Sequence, residues 1–286
     1  MIKYAQITEI PDEVLKKHID AYFDEDLPQG DLTSLAIFDA NEKSNAYFEA
    51  QEDIILAGAN TIPSFFTPET KIEILKKDGS SVCKGEIFAR LTGSTLSILS
   101  RERIMLNLIQ RMSAIATLTN KYVQIAKPFG VKILDTRKTT PGLRIFEKYA
   151  VAVGGGQNHR YNLSTGILIK DNHITAAGGI TAALHRVHSQ HYSLPTEIEV
   201  ENEHQIIEAI EAGTDGLLLD NMSPDELMRS VKLVRSHRRG KDIFLEASGG
   251  INLDNLKDYV CTGVDAISCG ALTHSIKNAN LHLEFE

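Results

Sequence analysis

From Val131 onward the chain alternates short apolar runs with helical stretches, and that alternation limits what it can fold into. The runs are KILDT (132–136), VAVGG (151–155), GILIK (166–170), EIEVE (197–201), GLLLD (216–220), IFLEA (243–247) and AISCG (266–270). Their length and apolar density are those of strands buried on both faces. The helices between them are well punctuated. Ser223-Pro224-Asp225-Glu226 is a capping box, with proline at the first helical position and acids near the positive helix end. Asn202 and Asn252 are candidate N-caps, and Gly213, Gly240 and Gly263 are candidate stops. Seven strands alternating with helices predict a parallel α/β sheet, closed or nearly closed into a barrel. An open doubly wound sheet is the competing architecture, but no GxGxxG follows the first strand to favour it.

The first third of the chain has a different pattern. Residues 11–23 predict an amphipathic helix with Pro11 in its first turn and Val14, Leu15, Ile19 and Phe23 on one face. Residues 24–34 (DEDLPQGDLTS) form a polar, turn-rich link. Over 35–98, the runs YFEA, IILAG, KIEILKKDG and EIFARLTGS are short strands separated by turn residues, with TIPSFF (61–66) a short helix among them. This part predicts a small α+β unit with an antiparallel sheet. Ile104, Leu108, Met112 and Ile115 then mark a long helix with Ser100 as its N-cap, stopped by Pro128 and Gly130. The tail NLHLEFE (280–286) alternates like an edge strand and is expected to return to the first domain.

A chain of 286 residues has room for a sizeable core and one or two domains. Its acidic balance, −8 at pH 7 with a pI near 5.7, argues against a nucleic-acid partner. No apolar run approaches the roughly 20 residues of a membrane span, and MIKYAQITEIPDE lacks an apolar signal core. Cys83, Cys261 and Cys269 are odd in number and lack CxxC spacing, which fits reduced thiols in a cytoplasm.

Against this acidic background, residues 133–174 hold Arg137, Lys138, Arg144, Lys148, Arg160 and Lys170, with only Asp135, Glu147 and Asp171 to oppose them. ILDT runs into Arg137-Lys138, VAVGGG into His159-Arg160 and GILI into Lys170. Cations at three parallel strand ends make a positive mouth for a small polyanion. The later strands end in Glu199, Glu201, Asp220 and Glu246, acids able to hold a divalent metal such as Mg²⁺ or ribose hydroxyls. A single strand-end acid can equally be a structural ion-pair partner. EASGGIN and SCGALTHS place Ser248, Gly249, Gly250, Ser268 and Gly270 just past the last two strands, where free backbone N–H groups can cradle a phosphate. Arg103 lies in the first turn of the long helix, a position where arginine is usually solvated.

The chain resembles the quinolinate phosphoribosyltransferases over nearly its whole length. The resemblance rests on EDLPQGDLTS, RERIMLNLIQRMSAIAT, DTRKTTPGLRIFEKYAV, GGGQNHR, ILIKDNHI, EIEVEN, LLLDNMSP, LEASGGI and ISCGALTHS. One departure is Ala114, where the family commonly has glycine. The molybdenum-transport-associated relative shares the glycine run but lacks DTRKT and KDNH, both of which stand here. The resemblance implies an N-terminal α+β sandwich domain over residues 1–110 and a seven-stranded incomplete α/β (TIM-like) barrel over 111–275, with the tail 276–286 returning to the sandwich.

It also implies a reaction: quinolinate and phosphoribosyl pyrophosphate give nicotinate mononucleotide, pyrophosphate and CO₂, with Mg²⁺, in NAD biosynthesis. Arg137 and Arg160 are suited to a bidentate grip on two ring carboxylates, with His159, Lys170 and Arg103 completing the pocket. Lys138 and Lys170 would meet phosphates or pyrophosphate, Glu199 and Asp220 the metal and ribose, and Ser248, Gly249, Gly250, Ser268 and Gly270 the 5′-phosphate. The catalytic set is thus Lys138, Glu199 and Asp220, working in a homodimer whose sites each take Arg103 from the other subunit. A nicotinate-type enzyme would need only one carboxylate clamp. A non-catalytic anion-binding paralogue would be expected to have lost Lys138, Glu199 or Asp220, and all three are present.

Overall fold

The computed structural model describes residues 2–286, with Met1 outside them. In chain order the elements begin with helices α1 (Asp12–Asp26) and α2 (Leu32–Ile37) and strands β1 (Lys43–Ala50) and β2 (Ile54–Ile55). A 3₁₀ helix (Ala59–Phe65) leads to β3 (Lys71–Ile74), β4 (Ser81–Val82), β5 (Ile87–Ser94) and the long α3 (Thr95–Ala126). Next come β6 (Lys132–Leu134), α4 (Arg144–Val153), β7 (Ile167–Ile169), α5 (Asp171–Ala177), α6 (Ile180–His188) and β8 (Thr196–Val200). The chain continues with α7 (Glu203–Glu211), β9 (Gly216–Asp220), α8 (Pro224–Ser236) and β10 (Phe244–Ser248). It ends with α9 (Leu256–Val260), β11 (Ala266–Ser268), α10 (Ala271–His274) and β12 (Leu281–Phe285). Among the described residues, no helix is long and apolar enough to cross a membrane.

The chain forms two compact units, and neither is continuous in sequence. One comprises residues 7–120, 140–155 and 275–286; the other comprises 2–6, 121–139 and 156–274. The first unit carries an antiparallel sheet in the order β12-β1-β5-β3. The tail strand β12 pairs with β1, Phe285 opposite Ala46 and Leu281 opposite Ala50. Phe48 and Phe88 stack in its core with ring centroids 5.6 Å apart, and both are fully buried. Helix α3 buries Met105, Ile109, Met112 and Ile115. Its polar edge is tied to the segment around β2, where Ser113 Oγ accepts from Ala57 N at 3.1 Å and Thr117 Oγ1 from Ile55 N at 2.8 Å.

Several local expectations are corrected here. Helix α3 begins at Thr95, five residues before Ser100, because Ser94 supplies the capping oxygen, accepting from Ser97 N at 3.4 Å. The link at 24–34 is not all turn: Asp31 caps α2 by accepting from Ser34 N. Asn252 does not cap α9, which starts after Asn255; its side chain instead accepts from Asp254 N and Asn255 N in the preceding turn. The largest correction concerns VAVGG. Those residues are the last turn of α4 and the glycines that end it, not a strand. A short apolar run cannot distinguish the two by its period. Here tertiary anchors upstream decide for helix, since α4 buries Phe146, Glu147, Lys148, Tyr149, Ala150 and Val151.

The strongest of those anchors is an ion pair. Arg111 on α3 donates to Glu147 Oε1 through Nε at 2.8 Å and Nη2 at 2.5 Å, and Nη2 also reaches Thr140 Oγ1 at 2.8 Å. The Glu147 side chain is 1% exposed. Removing only the cation would strand a buried carboxylate. Arg111→Met is therefore expected to lower unfolding free energy by about 3–5 kcal/mol. Equilibrium denaturation checks this, with Glu147→Gln expected to cost less, because the charge it leaves unpaired is on Arg111, whose side chain is 20% exposed against 1% for Glu147.

The second unit is the parallel one. Its sheet runs β6-β11-β10-β9-β8-β7, every pair parallel. A seventh strand position is filled by a single residue: Gln157 bridges Leu134 on the free side of β6, donating to Ile133 O and accepting from Asp135 N. The result is a mixed α/β chain with an incomplete barrel and a separate N-terminal α+β domain. Strands β9 and β10 are buried over four successive residues each, as expected where helices cover one face of a parallel sheet and a core fills the other.

Candidate active site

Strand register fixes the floor of the site. Across neighbouring strands Asp220 stands opposite Ser248, Ser248 opposite Ser268, and Ser268 opposite Leu134. The carboxyl ends of β9, β10, β11 and β6 thus form one row, where α/β barrels carry their chemistry. Above it lies a cavity of about 560 Å³. Its lining includes Arg137, Lys138, His159, Arg160, Lys170, Asp220, Ser248, Gly249, Gly250, Ser268 and Gly270, all from the barrel unit. Glu199 is not among the lining residues; its Oε2 lies 2.5 Å from Nζ of Lys170, which is. Arg103 belongs to the other unit and is not among the lining residues; its side chain is 65% exposed beside Glu102.

The cations reach this cavity by different routes. Arg137 and Lys138 follow β6, and the Lys138 carbonyl accepts from Thr273 Oγ1 at 2.8 Å. Lys170 ends β7 and begins α5, where its backbone N–H donates to His173 Nδ1 at 3.0 Å. That bond explains the KDNH spacing. His159 and Arg160 do not end a strand of the expected kind. They follow the one-residue bridge at Gln157 and are held by side chains: Asp135 accepts from Asn158 Nδ2 at 2.7 Å and from His159 N at 2.8 Å, and Arg160 Nη1 donates to the Gly166 carbonyl at 3.0 Å. Burial, and then the charge of Arg137, lower the proton affinity of Arg160 from its ordinary value, a sign of positive charge concentrated in a confined place.

His159 is the most constrained of the group. Its Nε2 lies 3.4 Å from both Glu197 Oε2 and Glu246 Oε2, and both glutamates are fully buried. Burial opposes charge on the ring, but Glu246 and Glu197 outweigh it and hold the imidazole pKa near 10. The ring therefore faces the cavity as a cation at neutral pH. Burial, followed by the nearby Glu246, raises Glu197 above the usual carboxylate range. The three side chains have the atom types of a metal site, with potential ligand atoms within 4.8 Å of one another. The His159 Nε2 stands at ion-pair distance from both carboxylates.

The acids and glycines complete the rim. Burial and then Glu199 raise the Asp220 pKa, so the two carboxylates feel each other. Asp220 Oδ2 accepts from Asn221 Nδ2 at 2.5 Å. The turn after β10 needs glycine: Gly249 has φ +100°, and a Cβ there would sit 2.1 Å from Asn221 Oδ1. Sequence reasoning did not find Glu197, Tyr4 or His274, of which His274 lines the cavity. Glu197 carried a signal, because it lies two residues from Glu199 on the same face of β8.

An incomplete parallel barrel with a cationic, glycine-rimmed mouth and paired acids defines an anion-handling α/β-barrel enzyme. The chain matches the family model for "Quinolinate phosphoribosyl transferase, C-terminal domain" over residues 115–284 and that for its N-terminal domain over 31–113. It is 45% identical over 274 residues to the probable nicotinate-nucleotide pyrophosphorylase [carboxylating] of Bacillus subtilis, covering 94% of this chain and 93% of that one. The structure of the nicotinate-nucleotide pyrophosphorylase from Francisella tularensis superposes with a TM-score of 0.93 at 35% identity, covering 99% of this chain and 100% of that one. That from Ehrlichia chaffeensis gives 0.89 at 37% identity, covering 94% and 98%. The chain belongs to the quinolinate phosphoribosyl transferase family.

Proposed function

We propose that the protein transfers a phosphoribosyl group from phosphoribosyl pyrophosphate to the ring nitrogen of quinolinate, giving nicotinate mononucleotide, pyrophosphate and CO₂ in NAD biosynthesis. The observation that carries this reading is one cavity joining Arg137, His159 and Arg160 to Lys138, Asp220 and the Ser248-Gly249-Gly250 turn. The first group suits a flat dianion. Two guanidinium forks can each take a carboxylate in bidentate fashion, and a charged imidazole adds a third donor. Lys138 and Lys170 meet the phosphates of the second substrate, and Ser248, Gly249, Gly250, Ser268 and Gly270 receive its 5′-phosphate.

Glu199 and Asp220 take the ribose hydroxyls and the metal. Their oxygens are hard donors, and the Asp220 carboxylate, raised in pKa by burial and then by Glu199, carries a charge that a divalent cation would stabilise, so the pair fits Mg²⁺. When bound, Mg²⁺ supplies positive charge to the pyrophosphate as it leaves. The carboxylates themselves stabilise the positive charge that develops on the ribose carbon as that bond breaks. The ring nitrogen then bonds to this carbon and becomes quaternary. The C2 carboxylate departs as CO₂, and its bonding pair stays on C2 beside the cationic nitrogen until a proton arrives. No acid or base is needed at the leaving carboxylate.

We place the working form as a homodimer in the cytoplasm, with two sites that each take Arg103 from the other subunit. The exposure of Arg103 in a unit that does not line the cavity supports sharing, and the unpaired thiols Cys83, Cys261 and Cys269 support a reducing compartment. The test is CO₂ release from carboxyl-labelled quinolinate. Release is expected only with phosphoribosyl pyrophosphate and Mg²⁺ both present; no release under any condition would sink the assignment.

A further inference from the structure

The amino-terminal arm, residues 2–6, belongs to the barrel unit and lies outside both family models, which match residues 31–113 and 115–284. Ile2 is 5% exposed and packs with Leu134, Phe244 and Ala266. Phe244 and Ala266 are the first residues of β10 and β11 and Leu134 is the last of β6, so the arm packs beneath the row of strand ends that floors the cavity. Tyr4 packs against the same cluster. Gly166 makes room for it, since a Cβ there would sit 2.6 Å from the Tyr4 ring.

From this position the arm touches the histidine network from below. The Tyr4 ring lies 4.5 Å from the His159 ring, centroid to centroid, and its hydroxyl donates to Glu197 Oε2 at 3.0 Å. Gln6 holds the backbone one residue before His159. Its Oε1 accepts from Asn158 N at 2.8 Å, and its Nε2 donates to Asn158 O at 3.2 Å and to Tyr4 O at 3.0 Å. Asp135 grips the other side of the same segment. Neither Tyr4 nor Gln6 lines the cavity, whereas His159 and Glu246 do.

We propose that the arm is a positioning element of the quinolinate pocket, with Tyr4 and Gln6 setting the place and orientation of the His159 ring. This inference rests on the assignment of His159 to quinolinate. The two residues act through different atoms. Gln6 fixes where the 158–160 backbone runs, and Tyr4 fixes Glu197 and the plane against which the ring lies. A purely structural plug would affect stability and would not discriminate between the two substrates.

The test uses the full-length enzyme and two variants, Tyr4→Phe, which keeps the ring and removes only the hydroxyl, and Gln6→Ala. Three quantities are measured for each: quinolinate affinity by calorimetry, KM for each substrate, and thermal midpoint. Each variant is expected to bind quinolinate about 3–10-fold more weakly, the range one hydrogen bond controls. KM for phosphoribosyl pyrophosphate should stay within about twofold in the same assays. Unchanged quinolinate affinity in folded variants, or equal losses for both substrates, would overturn the proposal. Failure of both variants to fold would do so too, by making the arm a structural plug only. A wild-type protein that binds no quinolinate overturns the site assignment itself, a result separate from wild-type binding that the variants retain.

Discussion

Replacing Asp220 by asparagine is expected to reduce turnover by about 10²–10³ while leaving quinolinate affinity unchanged, because it removes one charge that acts in the transition state. Asp220 ends β9 in the row with Ser248, at the acidic side of the network formed with Glu199 and Lys170. In the proposed site quinolinate, a dianion, meets Arg137, Arg160 and His159 and has no attraction to a carboxylate. Asparagine keeps the size and one acceptor oxygen, so the turn at Asn221 should survive. What it loses is the negative charge that we propose stabilises the ribose carbon as pyrophosphate leaves. The loss should therefore fall on kcat, and on Mg²⁺ dependence, with the quinolinate dissociation constant as control. Near-normal turnover in a folded Asp220→Asn protein would reduce Asp220 to a structural partner of Asn221.

A mixture of two inactive variants, Arg103→Ala and Lys138→Ala, is expected to regain activity once subunits exchange. Arg103 is exposed on α3, and every residue lining the cavity belongs to the barrel unit. If each site joins one subunit's Arg103 to the other's Arg137, Lys138 and Arg160, every site in either homodimer lacks one member. In a mixed dimer one site collects both defects and the other collects neither. A fully exchanged equal mixture should then approach about a quarter of wild-type activity, as the two-fold reciprocity of such an interface requires. Verified exchange without recovery would mean that Arg103 acts within its own subunit or not at all.

Much of this was legible in the chain. Five of the strand runs from GILIK to AISCG, and KILDT before them, are strands in the structure, because a parallel strand buried on both faces must be written as a continuous apolar run. Residues at or just past five of those six runs line the cavity, EIEVE being the exception, since in a parallel barrel strand direction carries side-chain position with it. The capping box at Ser223 was likewise local chemistry: Ser223 and Glu226 satisfy each other's backbone N–H groups over three residues.

Tertiary structure decided whatever depends on partners distant in sequence. VAVGG is apolar enough for a strand, and it became helix because Glu147 and Tyr149 upstream found Arg111 and Asp78. The same excursion carried Arg144 and Lys148, two of the six cations in the basic stretch, out of the barrel unit. His159 and Arg160 reached the cavity through Asp135, Gln157 and Gly166, not through a regular strand. Nothing near Ile2, Tyr4 or Gln6 in sequence marks them as part of a barrel, because their partners lie more than 100 residues away. The sequence by itself determined the parallel alternation and the chemistry at strand ends, since both follow from local period and direction. The charge on His159 and the role of the arm needed the folded chain, since buried electrostatics depend on which distant groups share a low-dielectric interior.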